Sequence, residues 1–366
     1  MNSEVIFFVI VAFLCLEFVV ERVLDRLNMK AMSPVLPSRL QGIYDEKEYN
    51  RFVNYKRETG RLEWLESVVG FIVMLGFLCA GGFGWLNGWI VSWTDSVVWQ
   101  TLLFMGILSV ASGVLEMPFD WYATFRIEEK YGFNKTTWKT YVGDFLKGML
   151  LSALLGGLLL SAVVWFYEWA GPLFWLYAWI AVTVVSVFMS MFYSQLIVPL
   201  FNKQTPLEQG SLRDKIQAFA DKVGFRLDNI YVMDGSKRST KANAYFTGLG
   251  PKKRIVLYDT LIDELTEEEI VAVLAHEVGH YKRKHTVQFM LASVLQIGIM
   301  LWLFSLLVNE AVLSQALGGD RAYFQLGLVA FALLYTPVSM GWENARASGD
   351  AQRLAFVCCE VVFCAS

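Results

Sequence analysis

Seven runs of this chain are apolar for long enough to cross a hydrocarbon layer of about 30 Å, which takes roughly 20 helical residues. They cover residues 5–20, 68–86, 97–114, 146–169, 173–201, 286–312 and 322–340. The first is the shortest and carries Glu17. It has neither a basic leader nor a small-residue cleavage site, so it reads as a span and not as a removed signal peptide. Between the fifth and sixth runs the period changes. Leu212, Ile216, Phe219, Ala220 and Val223 repeat at helical spacing over 211–223. Residues 229–233 read as a strand stopped by Asp234-Gly235-Ser236, and 242–246 and 254–258 as two more, joined through Gly248 to Pro251. Thr266 with Glu269 three residues later forms a capping box, followed by Ile270, Val271, Val273 and Leu274 without Gly or Pro, which predicts a helix.

The predicted fold class is mainly α: a polytopic membrane protein with seven transmembrane helices and a small cytoplasmic α+β unit. The chain divides into a five-span region (1–201), the α+β unit (202–285), two further spans (286–340) and a tail of different composition (341–366).

Composition agrees. Hydrophobic residues make up 55%, aromatic 15% and charged only 18%, which places the chain among membrane proteins. Lys and Arg crowd the first, third and fifth connections and are absent from the second and fourth. By the positive-inside rule the N-terminus is outside, and the α+β unit and C-terminus are cytoplasmic. The net charge of −3 and the lack of a basic stripe exclude nucleic acid as a partner; the bilayer is one. The five cysteines show no disulfide or zinc-knuckle spacing.

The chemistry concentrates in His276-Glu277-Val278-Gly279-His280, which holds two of the three histidines of the chain. On a helix, residues four apart share a face, so His276 and His280 can ligate one zinc ion per chain. Glu277 beside them is placed as the general base of a peptidase. A charged helix face with incidental histidines is the competing reading. His285 falls one residue short of the third-histidine position of extended zinc-helix patterns, where Thr286 stands. It reads as a span-end histidine, leaving a carboxylate as third ligand. Asn243, Ala244 and Tyr245, on the strand before the helix, are the candidate substrate-binding residues, since peptides are commonly held as an added strand on an open edge. A hairpin that only covers the helix is the alternative.

Several further phrases resemble the type I CAAX prenyl endopeptidases and their bacterial relatives. They are Tyr131-Gly132-Phe133-Asn134-Lys135-Thr136-Thr137, Pro199-Leu200-Phe201-Asn202-Lys203, Ser236-Lys237-Arg238-Ser239, Asn243-Ala244-Tyr245-Phe246-Thr247-Gly248 and the run from Lys253 to Leu261. The resemblance implies seven spans, a zincin-like cytoplasmic unit and hydrolysis of peptide bonds near the C-terminus of prenylated proteins, or membrane-protein turnover in a bacterium. It implies the bacterial inner membrane, or the endoplasmic reticulum in a eukaryote. In that family a Glu after the last span completes the zinc site. Here the matching phrase is missing beyond Met340, and Glu343 is the one stand-in on the correct side. Two readings follow: an integral-membrane zinc metalloendopeptidase, or a catalytically inactive truncated homologue that keeps the fold and a peptide-binding chamber.

Overall fold

The computed structural model describes residues 2–36, 45–222, 229–247, 254–282 and 285–341, with the backbone alone for 229, 246–247, 276–282 and 285–286. The tail beyond residue 341, Glu343 included, lies outside the described residues.

Among the described residues, six helical stretches are long and apolar enough to cross a membrane: Ser3–Ala31, Glu46–Cys79, Val97–Glu128, Trp138–Phe201, Val287–Leu307 and Phe324–Gly341. In the first five, only 6% to 17% of the most apolar window is buried within the protein. Apolar surface left open on that scale needs a lipid cover. The expected fourth and fifth spans fall together in Trp138–Phe201, a stretch of 64 residues. It is broken at Gly171, which takes a left-handed φ of 53°, and by a tight turn over Gly171–Leu173. The break separates α5 (Trp138–Ala170) from α6 (Phe174–Leu196), and Pro199 sets off a short α7 (Val198–Phe201).

The helices outrun the apolar patterns at their polar ends. α1 covers Ser3–Ala31, α2 Glu46–Cys79 and α4 Val97–Tyr122, the last continued by a π-helical turn over Ala123–Glu128. Glu, Lys and Arg lose little side-chain freedom in a helix, and Asp45 caps α2 by accepting from the Lys47 amide at 2.6 Å. The expected second span, 68–86, is corrected: α2 stops at Cys79, and Gly81 at φ 70° turns the chain into α3 (Gly82–Val91). Ten residues rise about 15 Å, too little to cross. α3 instead buries Phe83, Leu86 and Ile90 and leaves Trp85 and Trp89 exposed.

The chain forms two compact units. Of the described residues, one comprises 2–132, 149–175 and 301–341; the other comprises 133–148 and 176–300. In the first, Ile6 and Ile10 of α1, Leu86 and Ile90 of α3 and Phe104 of α4 pack with Leu313 of α12 (Ala311–Ala316) and with Leu326 and Ala330 of α13 (Phe324–Gly341). Inside this core lies a polar cluster. The Gln325 side-chain amide donates to Asn87 Oδ1 at 2.7 Å, and Thr101 Oγ1 donates to Gln325 Oε1 at 3.5 Å. All three residues are buried.

The second unit holds a four-stranded sheet in the order β1-β2-β4-β3. The strands are β1 (Gln204–Pro206), β2 (Asn229–Met233), β3 (Ala244–Thr247) and β4 (Arg254–Tyr258). β2 and β4 run parallel, while β1 and β3 pair antiparallel on the two flanks. The expected strands 229–233 and 254–258 coincide with β2 and β4, and 242–246 shifts to β3. One sheet face is covered by α8 (Ser211–Lys222), α9 (Asp259–Glu264) and α10 (Glu267–Lys282). Ile216, Ile230, Ile255, Leu257, Leu261, Ile270 and Leu274 form that core. α11 (His285–Leu307) follows α10 and gives residues to both units.

Candidate active site

The helix carrying the His-Glu-His phrase begins as its sequence requires. The amide and hydroxyl of Thr266 each donate to Glu269 Oε2 at 2.8 Å, and the Glu269 amide returns to Thr266 Oγ1 at 3.4 Å. These bonds lower the Glu269 pKa, with the Thr266 amide contributing most. Lys215 of α8 pairs with Glu267 at 2.7 Å and Glu268 at 2.5 Å, tying the first turn of α10 to its neighbour. Ile270 and Leu274 then anchor the helix to the sheet, each 1% exposed.

α10 continues unbroken to Lys282, so positions 276 and 280 lie one turn apart on one face. Counted at 100° per residue, they share a stripe with Glu269 and Ala272, both exposed, and lie off the packed stripe of Ile270 and Leu274. Position 277 borders the packed stripe. The side chains of His276, Glu277 and His280 are outside the described residues, as is Glu343. Among the described residues no three of His, Cys, Asp and Glu converge on one point. The donor set of two imidazoles one helical turn apart, with a carboxylate between them in sequence, suits a borderline-soft ion such as zinc.

α10 packs against β3, so the helix and the strand that carry the sequence-predicted residues are neighbouring elements. Among the described residues β3 is an edge strand, paired with β4 alone. Its pairing shows which backbone groups are used. The Tyr258 amide donates to the Asn243 carbonyl at 3.0 Å, and Tyr245 stands opposite Val256. Alternation in an antiparallel ladder therefore turns Asn243 and Tyr245 towards β4 and directs the backbone groups of Ala244 and Phe246 to the open edge. The Ala244 amide is met there by Oδ1 of Asn243 at 2.8 Å. The Ala244 side chain joins the core under α10.

Tyr245 points to the other sheet face. Its hydroxyl accepts from Gln204 Nε2 at 3.3 Å, and its ring meets that of Tyr258 edge-on at 6.4 Å. Burial raises its pKa above the ordinary phenol value. On this face Tyr245, Tyr258 and Met233 form one wall of a cavity of about 460 Å³; Tyr193, Val198, Phe201 and Asn202 form the other.

Two motifs with no role assigned from sequence hold this region together. Asn134 bridges to Ser239. Arg238 donates from Nε to Asp144 Oδ2 and from Nη2 to the Phe201 carbonyl, both at 2.7 Å. Asp234 accepts from the Lys203 amide at 2.7 Å and the Asn202 side chain at 3.1 Å. The Asn134-Lys135-Thr136 triplet matches a glycosylation acceptor, but Asn134 is buried and its Oδ1 accepts from the Thr136 amide at 2.7 Å. The signal for these contacts is the polar, Gly-punctuated composition of both motifs; their partnership is non-local and has no sequence pattern.

Comparison with known proteins gives a consistent picture. Residues 25–203 match the family described as "CAAX prenyl protease N-terminal, five membrane helices", and residues 206–360 match "Peptidase family M48". A CAAX prenyl protease 1 homolog of Arabidopsis thaliana is 33% identical, with 95% of this chain and 85% of that protein covered. CAAX prenyl protease 1 of Saccharomyces cerevisiae is 35% identical over 76% of this chain and 64% of its own length. The crystal structure of S. mikatae Ste24p superposes with a TM-score of 0.85 at 32% identity, covering 91% of this chain and 83% of that one. The peptidase match continues past Met340 to residue 360. The reading as an inactive truncated homologue is therefore not supported.

Proposed function

Because the chain belongs to peptidase family M48 and is an integral-membrane metalloendopeptidase, we propose that it cleaves prenylated CAAX-type polypeptides near their C-termini. In a bacterium the same site would serve membrane-protein turnover. The observation that carries the reading is the packing of α10, the helix whose sequence holds positions 276, 277 and 280, against the strand β3, whose outer edge is open among the described residues. Both relatives named above are CAAX prenyl proteases by name.

His276 and His280 would hold one zinc ion, with Glu343 the candidate third ligand. When bound, zinc supplies a Lewis acid and lowers the pKa of a coordinated water. Glu277 then takes a proton from the attacking water and returns it to the leaving amine. The substrate lies antiparallel on β3, with its backbone paired to Ala244 and Phe246. Asn243 holds the edge ready by occupying the Ala244 amide until the peptide replaces its Oδ1. Tyr245 sets which substrate side chains face away from α10.

In this reading the stretch Trp138–Phe201 makes two crossings, giving seven in all; 64 helical residues would rise about 96 Å in one line. The N-terminus is outside, and the sheet with α10 is a zincin-like unit in the cytoplasm, a reading that the Lys and Arg distribution supports. The membrane is that of the endoplasmic reticulum in a eukaryote or the inner membrane in a bacterium. The test uses the full-length protein in detergent: zinc per chain by elemental analysis, and cleavage of a farnesylated C-terminal peptide by mass spectrometry. One zinc per chain is expected, with product release abolished by a chelator and by Glu277→Gln. Full zinc-dependent turnover by Glu277→Gln would reject the mechanism.

A further inference from the structure

In the second unit the covering helices and the connecting segments carry opposite charge. Over α8, α9 and the first turn of α10 there are eight acidic residues and three basic. The segments 133–147, 200–203 and 234–241 hold seven basic residues and two acidic, in a chain whose net charge is −3. Hydrogen bonds tie these three segments into one surface. The Lys135 amide donates to the Arg238 carbonyl at 2.9 Å, and the Asp234 amide to the Lys203 carbonyl at 3.2 Å. Lys147 Nζ donates to the Leu200 carbonyl at 3.0 Å. The two carboxylates are already matched: Asp144 by Arg238, and Asp234 by the Lys203 amide and the Asn202 side chain. Lys135, Lys139, Lys203 and Lys237 are exposed. Among the described residues, none of these four ammonium groups has an ion pair or a hydrogen bond.

The basic surface begins where an apolar one ends. Trp138, Val142, Leu146, Leu150 and Leu154 recur every four residues along one face of α5, and all five are exposed. An open apolar row of that length needs lipid against it. Trp138, at its polar end, is the residue type that sits at headgroup level, and Lys139 follows it directly. The bonds from Lys147 to the Leu200 carbonyl and from Arg238 to Asp144 and the Phe201 carbonyl bring both ends of the stretch Trp138–Phe201 together. Lys203 therefore lies at the same border. Snorkelling from a span accounts for a lysine on the span itself. It does not account for Lys135 and Lys237, which stand on the turns before α5 and after β2.

We propose that Lys135, Lys139, Lys203 and Lys237 form a docking surface for the phosphate headgroups of anionic phospholipids, which holds this end of the sheet unit against the bilayer. A basic cluster at the end of a span is drawn to an anionic membrane surface, each lysine contributing about five-fold in binding. An acidic protein partner would match the charge alone. A lipid surface matches the charge and also the apolar row that starts at Trp138. The orientation proposed above sets these lysines against the cytoplasmic leaflet, the one that carries anionic lipid.

The test measures lipid retention on the full-length protein in neutral detergent by native mass spectrometry. The probes are phosphatidylglycerol and phosphatidylcholine of the same acyl chains. One variant combines Lys135→Gln, Lys139→Gln, Lys203→Gln and Lys237→Gln; a second replaces the same four residues by Arg. Wild-type protein should hold phosphatidylglycerol at least roughly ten-fold more tightly than phosphatidylcholine. The Gln variant should lose that preference and the Arg variant keep it. Hydrogen exchange in nanodiscs then localises the contact. Amides of 135–139 and 235–241 should exchange more slowly when phosphatidylglycerol replaces part of the phosphatidylcholine, and those of α8 should not change. Equal retention of both lipids by the wild type, a preference that survives the Gln variant, or exchange unaffected at both segments would overturn the proposal. Binding of inorganic phosphate without a preference between the lipids would assign the lysines to a free anion and refute the lipid surface. If the four-fold Gln variant does not fold, Lys139→Gln and Lys237→Gln decide singly. Each should weaken phosphatidylglycerol binding roughly five-fold, and no change in either refutes the assignment. None of these readouts needs turnover, so they stand apart from the cleavage test.

Discussion

Gly235 offers a direct test of how closely the loop after β2 supports the cavity wall. A Cβ built there would stand 2.4 Å from Cδ2 of Tyr258, 3.1 Å from its Cγ and 3.3 Å from its Cβ. The residue is buried, and it is not among the glycines with a positive φ, so the conflict is steric alone. Overpacking of this kind costs about 1–3 kcal/mol. Replacing Gly by Ala also restricts the unfolded chain, which returns about 0.4–1 kcal/mol. Gly235→Ala should therefore destabilise by about 1–2 kcal/mol and displace the Tyr258 ring. In a Tyr258→Ala background the two closest atoms are gone, and Gly235→Ala should become neutral or slightly stabilising. The assay is thermal unfolding at one scan rate in one detergent, followed by intrinsic tryptophan fluorescence across the four-member mutant cycle. An equal loss of stability from Gly235→Ala in both backgrounds would refute the steric argument.

Other expectations follow from contacts described above. Gln325→Leu strands Asn87 and Thr101 and should cost about 1–3 kcal/mol; a triple replacement with Asn87→Leu and Thr101→Val should recover most of it in the same unfolding assay. Arg238→Lys loses the forked contact to Asp144 and the Phe201 carbonyl, and limited proteolysis should find β2 and the 235–239 turn more readily cleaved. The Glu269 carboxylate is held below its ordinary value of 4.5 by the Thr266 amide and hydroxyl. Its contribution to α10 is full above that value and is lost as pH falls through the lower folded value. Hydrogen exchange of the α10 amides should therefore quicken in acid, and Glu269→Gln should remove that part of the pH dependence.

The sheet and the start of α10 were legible because their signals are local. β2 and β4 carry β-branched and apolar runs bounded by turn residues, and Thr266 with Glu269 is a complete cap within four positions. Helix ends were less legible. Hydropathy marks where a helix leaves the lipid, not where it stops, so α2 begins at Glu46 well before its apolar run. The break at Gly81 leaves no mark in hydropathy because the residues on both sides are apolar. At the candidate site, the helix spacing of 276 and 280 was readable, and so was the edge strand. The division of that strand into inward-paired Tyr245 and outward-facing Ala244 and Phe246 was not, since it depends on the register with β4. The cavity depends on the same register together with helix residues some forty positions earlier.

The buried amide cluster of the first unit has a consequence for how the protein is made. Gln325 meets Thr101 and Asn87 across 224 and 238 positions of chain. During synthesis the early partners enter the membrane long before Gln325 has been translated. Until then their polar groups have no Gln325 to satisfy them, and leaving a buried polar group unpaired is costly. The last span thus closes the cluster, and a chain that stops short of it leaves the Asn87 and Thr101 side chains without this partner.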